Sequence, residues 1–358
     1  MPNGKRIAAE GWEYFLGRKP LILDRERSQA ALSGKRILIT GAGGWIGSAL
    51  ARAVAGFAPA EMVLLEASER SLYEIDRELA STQKTSILGS MSDPILLAEI
   101  FHRHQPQIVY HAAAFKHVPL MERNPFAAIE NNAIGTNLLV QAALYAKTDQ
   151  IILLSTDKTV DPVNIMGASK RIAELVLLAR RTAATPMKAL RLGNVLGSEG
   201  SVVPLFRKQI MAGGPVTITH PEARRYFLTT ENAVMLLLEA SSTHADSCIL
   251  APDLGEPISM EAVARHLIGG DNIPIVFTQL RPGDKLCEAL ISTRETYAMQ
   301  SGSAALRRID SPALSLSMLD EVLEQLQHAC GERSLDQLLH AVLRAVPEYE
   351  PSAKMQRG

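Results

Sequence analysis

Four side chains in one short stretch, Ser155, Thr156, Asp157 and Lys158, place two hydroxyls, a carboxylate and an amine directly after the apolar run Ile151 to Leu154. A second lysine, Lys170, closes the nearby segment Asn164-Ile165-Met166-Gly167-Ala168-Ser169-Lys170. A carboxylate and an amine can exchange protons with a substrate while a hydroxyl orients it. The apolar run reads as a buried parallel strand, and open parallel sheets take their ligands outside the carboxyl ends of their strands. The chemistry therefore needs a sheet to carry it and a cofactor beside it.

The elements that would position these groups follow the order strand, turn, helix. The strand Arg36 to Thr40 runs into Gly41-Ala42-Gly43-Gly44-Trp45-Ile46-Gly47, and a helical pattern continues from Ile46 through Val54. Glycines at such a turn let backbone approach a pyrophosphate, and the helix N-terminus points free amides at the anion. The next strand, Met62 to Leu65, ends in Glu66, where an acid would hold the ribose hydroxyls of an adenosine. An acid there repels a 2'-phosphate, which favours NAD over NADP, although Ser68 and Arg70 leave room for the phosphorylated cofactor. An ordinary glycine-rich loop and a solvated acidic strand end are the bland readings of these two features. A third strand, Thr85 to Leu88, exits toward adenine through Ser90 and Met91. A fourth, Gln107 to His111, ends in Ala112, Ala113 and Ala114, small enough to admit a nicotinamide ring.

With helices expected over Asp93 to Arg103 and Pro125 to Ala146, and another strand at Met187 to Leu192, the pattern predicts an α/β fold: a doubly wound parallel sheet of Rossmann type. Beyond Gly193 the alternation stops. Short strands at Thr217 to Thr219 and Cys248 to Leu250 and helices at Glu231 to Ser241 and Ser259 to Leu267 predict a smaller C-terminal substrate-binding cap. Two amphipathic helices, Met318 to Cys330 and Leu335 to Val346, are expected to pack on it. The expected division is an N-terminal arm over residues 1–33, with a turn at Gly17-Arg18-Lys19-Pro20, lying on the body of the protein or on a partner subunit. A dinucleotide-binding domain follows over 34–192, then a mainly substrate-binding region over 193–358, parts of which return to the first domain.

Composition bounds the partners. Of 358 residues 47% are hydrophobic and 21% charged, the make-up of a globular chain that can bury a large core. Lys+Arg 37 against Asp+Glu 38 leaves a net charge of -1, so electrostatics makes no case for nucleic acid or an anionic membrane. Cys248, Cys287 and Cys330 are scattered without metal-ligand spacing; no metal is expected, and the thiols read as packing in a reduced compartment. No apolar run approaches the roughly 18 residues of a membrane span, and Met1 to Glu10 lacks the core of a signal peptide, so the expected location is cytoplasmic.

The ordered motifs resemble one family. Thr40-Gly-Ala-Gly-Gly-Trp-Ile-Gly47, His111-Ala-Ala-Ala-Phe-Lys-His-Val-Pro-Leu-Met-Glu122, Ser155-Thr-Asp-Lys158 with the Asn164 to Lys170 segment, Arg191-Leu-Gly-Asn-Val-Leu-Gly197, Val202-Val-Pro-Leu-Phe206, Thr219-His-Pro221, Arg225-Tyr-Phe227 and Leu280-Arg-Pro-Gly-Asp-Lys-Leu286 are similar to extended short-chain dehydrogenase/reductases of the polysaccharide-biosynthesis type. Those enzymes are nucleotide-sugar 4,6-dehydratases that typically act on UDP-N-acetylglucosamine. Many of them carry membrane helices ahead of this unit, and the chain resembles their catalytic part alone. The resemblance implies that Arg225 and Arg281, joined by Asn194, grip the nucleotide diphosphate, as forked guanidinium donors suit. It places Lys116, His117, Val202 and Glu288 with the substrate, and Gly43, Trp45, Ile46 and Asn132 with the cofactor beside the residues already named. A packed histidine at a loop corner is the bland reading of His117. Phe115 stands where the family has tyrosine, and Ser90 where it has aspartate; each departure removes a polar contact. A homo-oligomer is implied, with Pro125 to Ala146 and Ile165 to Arg181 as the usual interface, although packing on the sheet explains their apolar faces equally.

The reaction so implied is oxidation at sugar carbon 4 by bound NAD, loss of water across carbons 5 and 6, and reduction at carbon 6. Asp157 is the implied acid, Lys158 the implied base and Lys170 the holder of the nicotinamide ribose. With an unperturbed pKa of about 10.4, Lys158 must be depressed by burial or by Lys170 to accept a proton near neutrality. The usual tyrosine base four residues before Lys170 is Met166 here, and a thioether takes no proton. Either Asp157 serves twice, as acceptor and then donor, or the chain is a degenerate binder of NAD or nucleotide sugars. A nucleotide-sugar 4-epimerase is the remaining alternative. UDP, GDP and dTDP sugars all stay open, as does the configuration at carbon 5.

Overall fold

The protein is described from a computed structural model that covers residues 11–18, 21–243, 246–298, 303–353 and 355. Lys19 and Pro20 of the expected turn lie outside these residues, while Gly17 ends the first helix with φ 63°.

Runs that are apolar on both faces form the central strands of the main sheet, as expected of strands covered by helices on each side, while its edges carry polar residues. They are β1 (Arg36–Thr40), β2 (Glu61–Glu66), β3 (Lys84–Leu88), β4 (Ile108–His111), β5 (Gln150–Thr156), β6 (Met187–Leu192), β7 (Cys248–Pro252), β8 (Thr296–Tyr297) and β9 (Leu306–Asp310). Among the described residues their order is β8-β9-β7-β6-β5-β4-β1-β2-β3. From β7 to β3 every neighbouring pair is parallel, and β9 adds an antiparallel edge against β7 and β8. Strand order reverses between β1 and β4, so a crevice opens at their carboxyl ends. The expected doubly wound parallel sheet is the fold that forms.

Helices follow in chain order: α1 (Trp12–Leu16), α2 (Arg25–Leu32), α3 (Trp45–Ala55), α4 (Glu69–Glu78), α5 (Pro94–His104), α6 (Val118–Met121), α7 (Pro125–Ile129), α8 (Gly135–Tyr145), α9 (Ile165–Ala179), α10 (Val202–Met211), α11 (Thr230–Ser242), α12 (Met260–Ile268), α13 (Leu316–Glu332) and α14 (Leu335–Ala345). Helices α2, α3, α4 and α11 cover one face of the sheet through Leu32, Leu50, Leu72 and Leu237. On the other face α5, α8 and α9 pack through Leu97, Leu139 and Val176. The single helix expected over Pro125 to Ala146 is interrupted by a π-helical turn at Glu130–Ile134, which holds Asn132. A smaller body gathers α1, α10, α12 and the paired segments Val216–Ile218 and Ile275–Phe277 around Phe206, Phe227 and Val263. The described part of the N-terminal segment lies on the molecule itself: Trp12 and Leu16 join this smaller body, Leu32 joins the sheet core, and Arg18 Nη1 donates to the Phe227 carbonyl at 2.6 Å.

The final helical pair sits elsewhere than expected. Helices α13 and α14 pack not on the smaller body but on α7 and α9, with Val322, Leu326, Leu338 and Val342 meeting Ile129, Ile165, Met166 and Ile172. The reason lies in α9, buried on every side from Ile165 to Leu178: its apolar residues Ile165, Met166, Ile172 and Leu175 face away from the sheet and need a second layer to cover them. The face of α9 set aside as the usual subunit interface is therefore covered by the chain's own C-terminal helices. Leu326 is fully buried in that layer. Leu326→Ala should lower unfolding stability by about 2–5 kcal/mol, read from the denaturant midpoint; an unchanged midpoint would show that the third layer is not part of the cooperative core.

Candidate active site

Strand β5 ends in Ser155 and Thr156, and a single 3-10 turn over Asp157–Thr159 then bends the chain away from the sheet. This abrupt stop places consecutive side chains on different sides of the strand end. Asp157 is fully buried. Its Oδ1 accepts from Thr156 Oγ1 at 2.9 Å and from Lys158 Nζ at 2.9 Å, while Oδ2 is buried without a hydrogen-bond partner. Lys158 Nζ also donates to Asn194 Oδ1 at 3.0 Å and lies 3.7 Å from Glu288 Oε1. The partly exposed groups at this strand end are thus the Thr156 hydroxyl and the Lys158 ammonium, with the Asp157 carboxylate behind both.

The depression expected for Lys158 is not what its surroundings produce. Burial pulls its pKa down, but the charges of Asp157 and Glu288 and the hydrogen bond to Asp157 outweigh burial and the nearby Arg225, and the net shift is upward. Lys170, one turn into α9, behaves oppositely. It is buried, and burial lowers it to about 8 against the opposing charge of Glu174. Its charge in turn helps keep His111 neutral, although burial is the larger cause there. His111 is held through both ring nitrogens, by Thr40 Oγ1 at 2.7 Å and Thr136 Oγ1 at 2.9 Å. Met166 is buried in the apolar layer beneath α13, with its carbonyl accepting from Ser169 Oγ.

Beneath the strand end lies a buried ionic network that the sequence did not reveal. Arg191 on β6, fully buried, pairs in a fork with Glu174 of α9 at 2.9 and 2.8 Å and with Glu295 at 2.7 and 2.8 Å. Glu174 also accepts from Ser155 Oγ at 2.6 Å, Thr159 Oγ1 at 3.1 Å and Arg171 at 3.0 Å. Burial alone would raise Glu174, yet Arg191, Arg171 and the Ser155 hydroxyl hold it at about 2. Both ends of the Asp157 turn are therefore anchored to one carboxylate.

The turn after β1 suits a pyrophosphate. Gly41 adopts φ 66°, and a Cβ there would stand 2.7 Å from the Ala113 backbone; a Cβ on Gly47 would overlap the Gly41 carbonyl oxygen. Helix α3 starts at Trp45 with Gly44 as its cap, and no side chain accepts from its first amides, which leaves them for an anion. Glu66 sits beside the turn, accepting from Gly43 N–H and Ser68 N–H at 3.0 Å each. Trp45 Nε1 donates to Thr230 Oγ1 at 2.8 Å, and Ile46 packs against the sheet core. Asn132 bonds the Phe115 backbone in both directions: its Oδ1 accepts from the Phe115 N–H at 2.9 Å, and its Nδ2 donates to the Phe115 carbonyl and to Ser169 Oγ at 3.0 Å each. Ala112 to Ala114 line the crevice between β1 and β4, with Ala112 N–H bonded to Thr40. Met91 is buried, Ser90 is exposed and caps Ser92, and Arg70 is exposed beside Glu74.

The expected diphosphate residues are engaged within the chain. Arg225 donates to the carbonyls of Arg224, Lys285 and Leu286, Arg281 pairs with Asp284 at 2.8 Å, and Asn194 serves Lys158 rather than joining either arginine. Lys116 Nζ donates to the Glu199 carbonyl at 2.9 Å, and His117 lies against Gly200. Val202 opens α10 at the end of that same loop. Among the described residues no three His, Cys, Asp or Glu stand together as a metal site would require, and no helix is long and apolar enough to cross a membrane.

The sequence from 37 to 308 matches the model of a family described as polysaccharide biosynthesis proteins, and the chain belongs to that family. It is 42% identical over 299 residues to the probable polysaccharide biosynthesis protein EpsC of Bacillus subtilis; the match takes in 80% of this chain but only 50% of EpsC, so the chain spans about half the length of that relative. Among solved structures, Pen from Bacillus thuringiensis superposes with a TM-score of 0.72 at 25% identity, covering 83% of this chain and 99% of that one. The dTDP-glucose 4,6-dehydratase DesIV of Streptomyces venezuelae, solved with NAD, follows at 0.63 and 21%, covering 72% and 88%. A UDP-glucose 4-epimerase gives an equal TM-score and identity. The fold is thus shared by dehydratases and epimerases alike.

Glu174 sits below its unfolded-state pKa of about 4.3, so its contribution is complete above that pH and is lost as pH falls toward 2. Glu174→Gln should destabilise the protein by about 3–5 kcal/mol near neutrality, as breaking a buried ion pair does. Its stability should also fall less steeply with acid than that of the parent, measured by denaturant titration from pH 6 to pH 3. Parallel acid limbs would remove Glu174 from the account.

Proposed function

We propose that the protein is an NAD-dependent nucleotide-sugar 4,6-dehydratase, acting on a UDP-N-acetylhexosamine, with UDP-N-acetylglucosamine as first choice, in glycan or polysaccharide synthesis. The observation that carries this reading is the arrangement at the end of β5: a buried carboxylate, Asp157, contacted on one oxygen by both a hydroxyl and an ammonium, beside a turn fitted to a dinucleotide. When bound, NAD supplies a reversible two-electron acceptor for the sugar carbon. Gly41, Gly44 and Gly47 would hold its pyrophosphate, Glu66 its adenosine ribose and Lys170 its nicotinamide ribose. Glu66, an acid at the ribose position, supports NAD rather than NADP. The sugar nucleotide would lie between the sheet's ligand edge and the body formed mainly by 193–358, near Lys116, His117, Val202, Arg225 and Arg281. For the two arginines to take the diphosphate, they must exchange internal acceptors for phosphate oxygens.

Within the chain, proton movement centres on Asp157. Thr156 Oγ1 is hydrogen-bonded to its carboxylate at 2.9 Å, so a proton leaving the carbon 4 hydroxyl can reach Asp157 through Thr156 and return by the same hydroxyl to the departing carbon 6 oxygen, while Lys158, once it has given up its own proton, would take the carbon 5 proton and return it there after hydride reaches carbon 6. Met166 takes no part in proton transfer; buried in the apolar layer, it keeps water from this side of the site. An epimerase, the alternative compatible with the fold, has no use for such a paired carboxylate and amine.

Mass spectrometry of purified protein incubated with UDP-N-acetylglucosamine distinguishes the readings. Loss of one water is expected; an isomer of equal mass would make the protein an epimerase, and recovery of substrate alone would make it a binder. Asp157→Asn should cut water loss by at least 100-fold, in line with removal of a general acid or base, while NAD binding stays intact. Near-normal turnover in that variant would overturn the shuttle.

A further inference from the structure

A cavity of about 530 Å³ opens at the carboxyl end of β3, between the exit of that strand, the π-helical turn Glu130–Ile134 and the end of α13. Its walls include Ser90, Ser92, Phe115, Glu130, Asn131 and Ile134, and the Phe115 residue is 46% exposed. The polar groups at the strand exit are engaged with one another. Ser90 Oγ accepts from Ser92 N–H at 3.1 Å, and Ser92 Oγ donates to the Glu130 carbonyl at 3.4 Å. Asn131 Nδ2 donates to Asn132 Oδ1 at 2.9 Å. Among the described residues Glu130 is the one charged group in the lining, and its carboxylate has no hydrogen bond or ion pair. No carboxylate stands at position 90; one stands across the cavity at 130.

The cavity lies where the far end of a dinucleotide would arrive. The first amides of α3 are open to a pyrophosphate, and Glu66 at the end of β2 is placed for the ribose. Gly89 N–H bonds the Glu66 carbonyl at 2.9 Å, so the exit of β3 is the next wall beyond that ribose. Gly135 lets the π-turn close on this exit, because a Cβ there would stand 2.9 Å from Ser92 Oγ and 3.0 Å from Met91 Cε. Phe115 and Ile134 offer apolar surface to a flat ring. A carboxylate only accepts, so it selects a ring edge that carries N–H and opposes one that carries oxygen, whereas an amide such as Asn131 can turn to suit either.

Resting on the NAD part of the reading above, we propose that this cavity receives the adenine ring and that Glu130 is its specificity-determining residue, accepting a hydrogen bond from the exocyclic amine while Phe115 covers the ring. The acid that reads the base then stands on the π-turn and not at the exit of β3. The same turn fixes the ring's cover, since Asn132 holds the Phe115 backbone through both Oδ1 and Nδ2.

Nicotinamide hypoxanthine dinucleotide carries an oxygen where NAD carries that amine. Competition of each against NADH on the full-length protein, followed by the fluorescence of bound NADH, gives the ratio of their affinities. The parent should bind NAD about tenfold more tightly than the hypoxanthine analogue, the scale of a hydrogen bond to a charged acceptor. Glu130→Gln keeps the shape of an exposed side chain, and its amide can accept from the amine or donate to the oxygen, so the ratio should fall to about one. Damage to the fold would weaken both dinucleotides alike and leave the ratio where it was. A parent ratio near one, or a ratio that does not change in Glu130→Gln, overturns the proposal. In either case binding of NAD itself leaves the NAD reading standing. A parent that binds neither dinucleotide rejects both.

Discussion

The guanidinium of Arg191, buried between Glu174 and Glu295, is the interaction on which the site depends. An isolated ion moved into a protein interior costs several kcal/mol even after relaxation, and a buried pair holds only where the remaining donors and acceptors are also satisfied. Here they are: Arg191 reaches both carboxylates and the Leu290 carbonyl, and the carboxylates draw further donors from Ser155, Thr159, Arg171, Ser311 and the Ser292 backbone. The network joins β5, β6, α9 and the C-terminal segment at one point. Ser155 and Thr159 flank the Asp157 turn, so that turn is held in place by a carboxylate on a different element. The same C-terminal segment that supplies Glu295 supplies Glu288, and the ionic clamp and Lys158 are thereby fixed relative to each other.

This clamp marks the boundary of what the sequence made legible. The main strands could be read because buried parallel strands are continuous apolar runs, and the glycine turn because its spacing answers a geometric need that Gly41 and Gly47 meet in the structure. The grouping of Thr156, Asp157 and Lys158 was legible because adjacent residues at a strand end cannot lie far apart. Glu174, Arg171 and Glu295 carried no such signal. Arg191 lies 17 residues from Glu174 and 104 from Glu295, and an acid within a helix looks like any solvated face until the tertiary fold buries it. The apolar residues of α9 that lie off its sheet-facing side, Ile165, Met166, Ile172 and Leu175, were a signal that could have placed α13 and α14 correctly, because they require a second covering layer. The direction of the Lys158 shift was out of reach for another reason: burial and ion pairing act oppositely on a lysine, and their balance depends on distances that no spacing rule supplies.

The two lysines illustrate that balance. Lys158 and Lys170 are both sheltered, yet one has carboxylates at 2.9 and 3.7 Å and is raised, whereas the other is lowered to about 8. Among the described residues Lys170 Nζ makes no hydrogen bond or ion pair. Its neighbour His111 cannot relieve it, since both ring nitrogens are already bonded to Thr40 and Thr136. Lys170 therefore stands on α9 as a desolvated amine that lacks acceptors, next to the crevice where a ligand rich in oxygen would supply them.

Thermodynamic linkage gives this a sign. In the folded chain Lys170 titrates near 8, below the value of about 10.4 in an unfolded chain. The folded state is thus penalised below pH 8, where Lys170 is charged, and the penalty fades as pH rises toward 10.4. A ligand that places hydroxyl oxygens on Nζ stabilises the charged form, so binding near pH 8 must be accompanied by proton uptake. The destabilisation that α9 carries in the free protein is recovered on binding, which is the usual relation between a strained functional group and the ligand it receives. Asp157 and Lys158 need no such relief, because their charges are matched within the chain. The fold matches the charges of Asp157 and Lys158 within the chain and leaves Lys170 without a partner among the described residues.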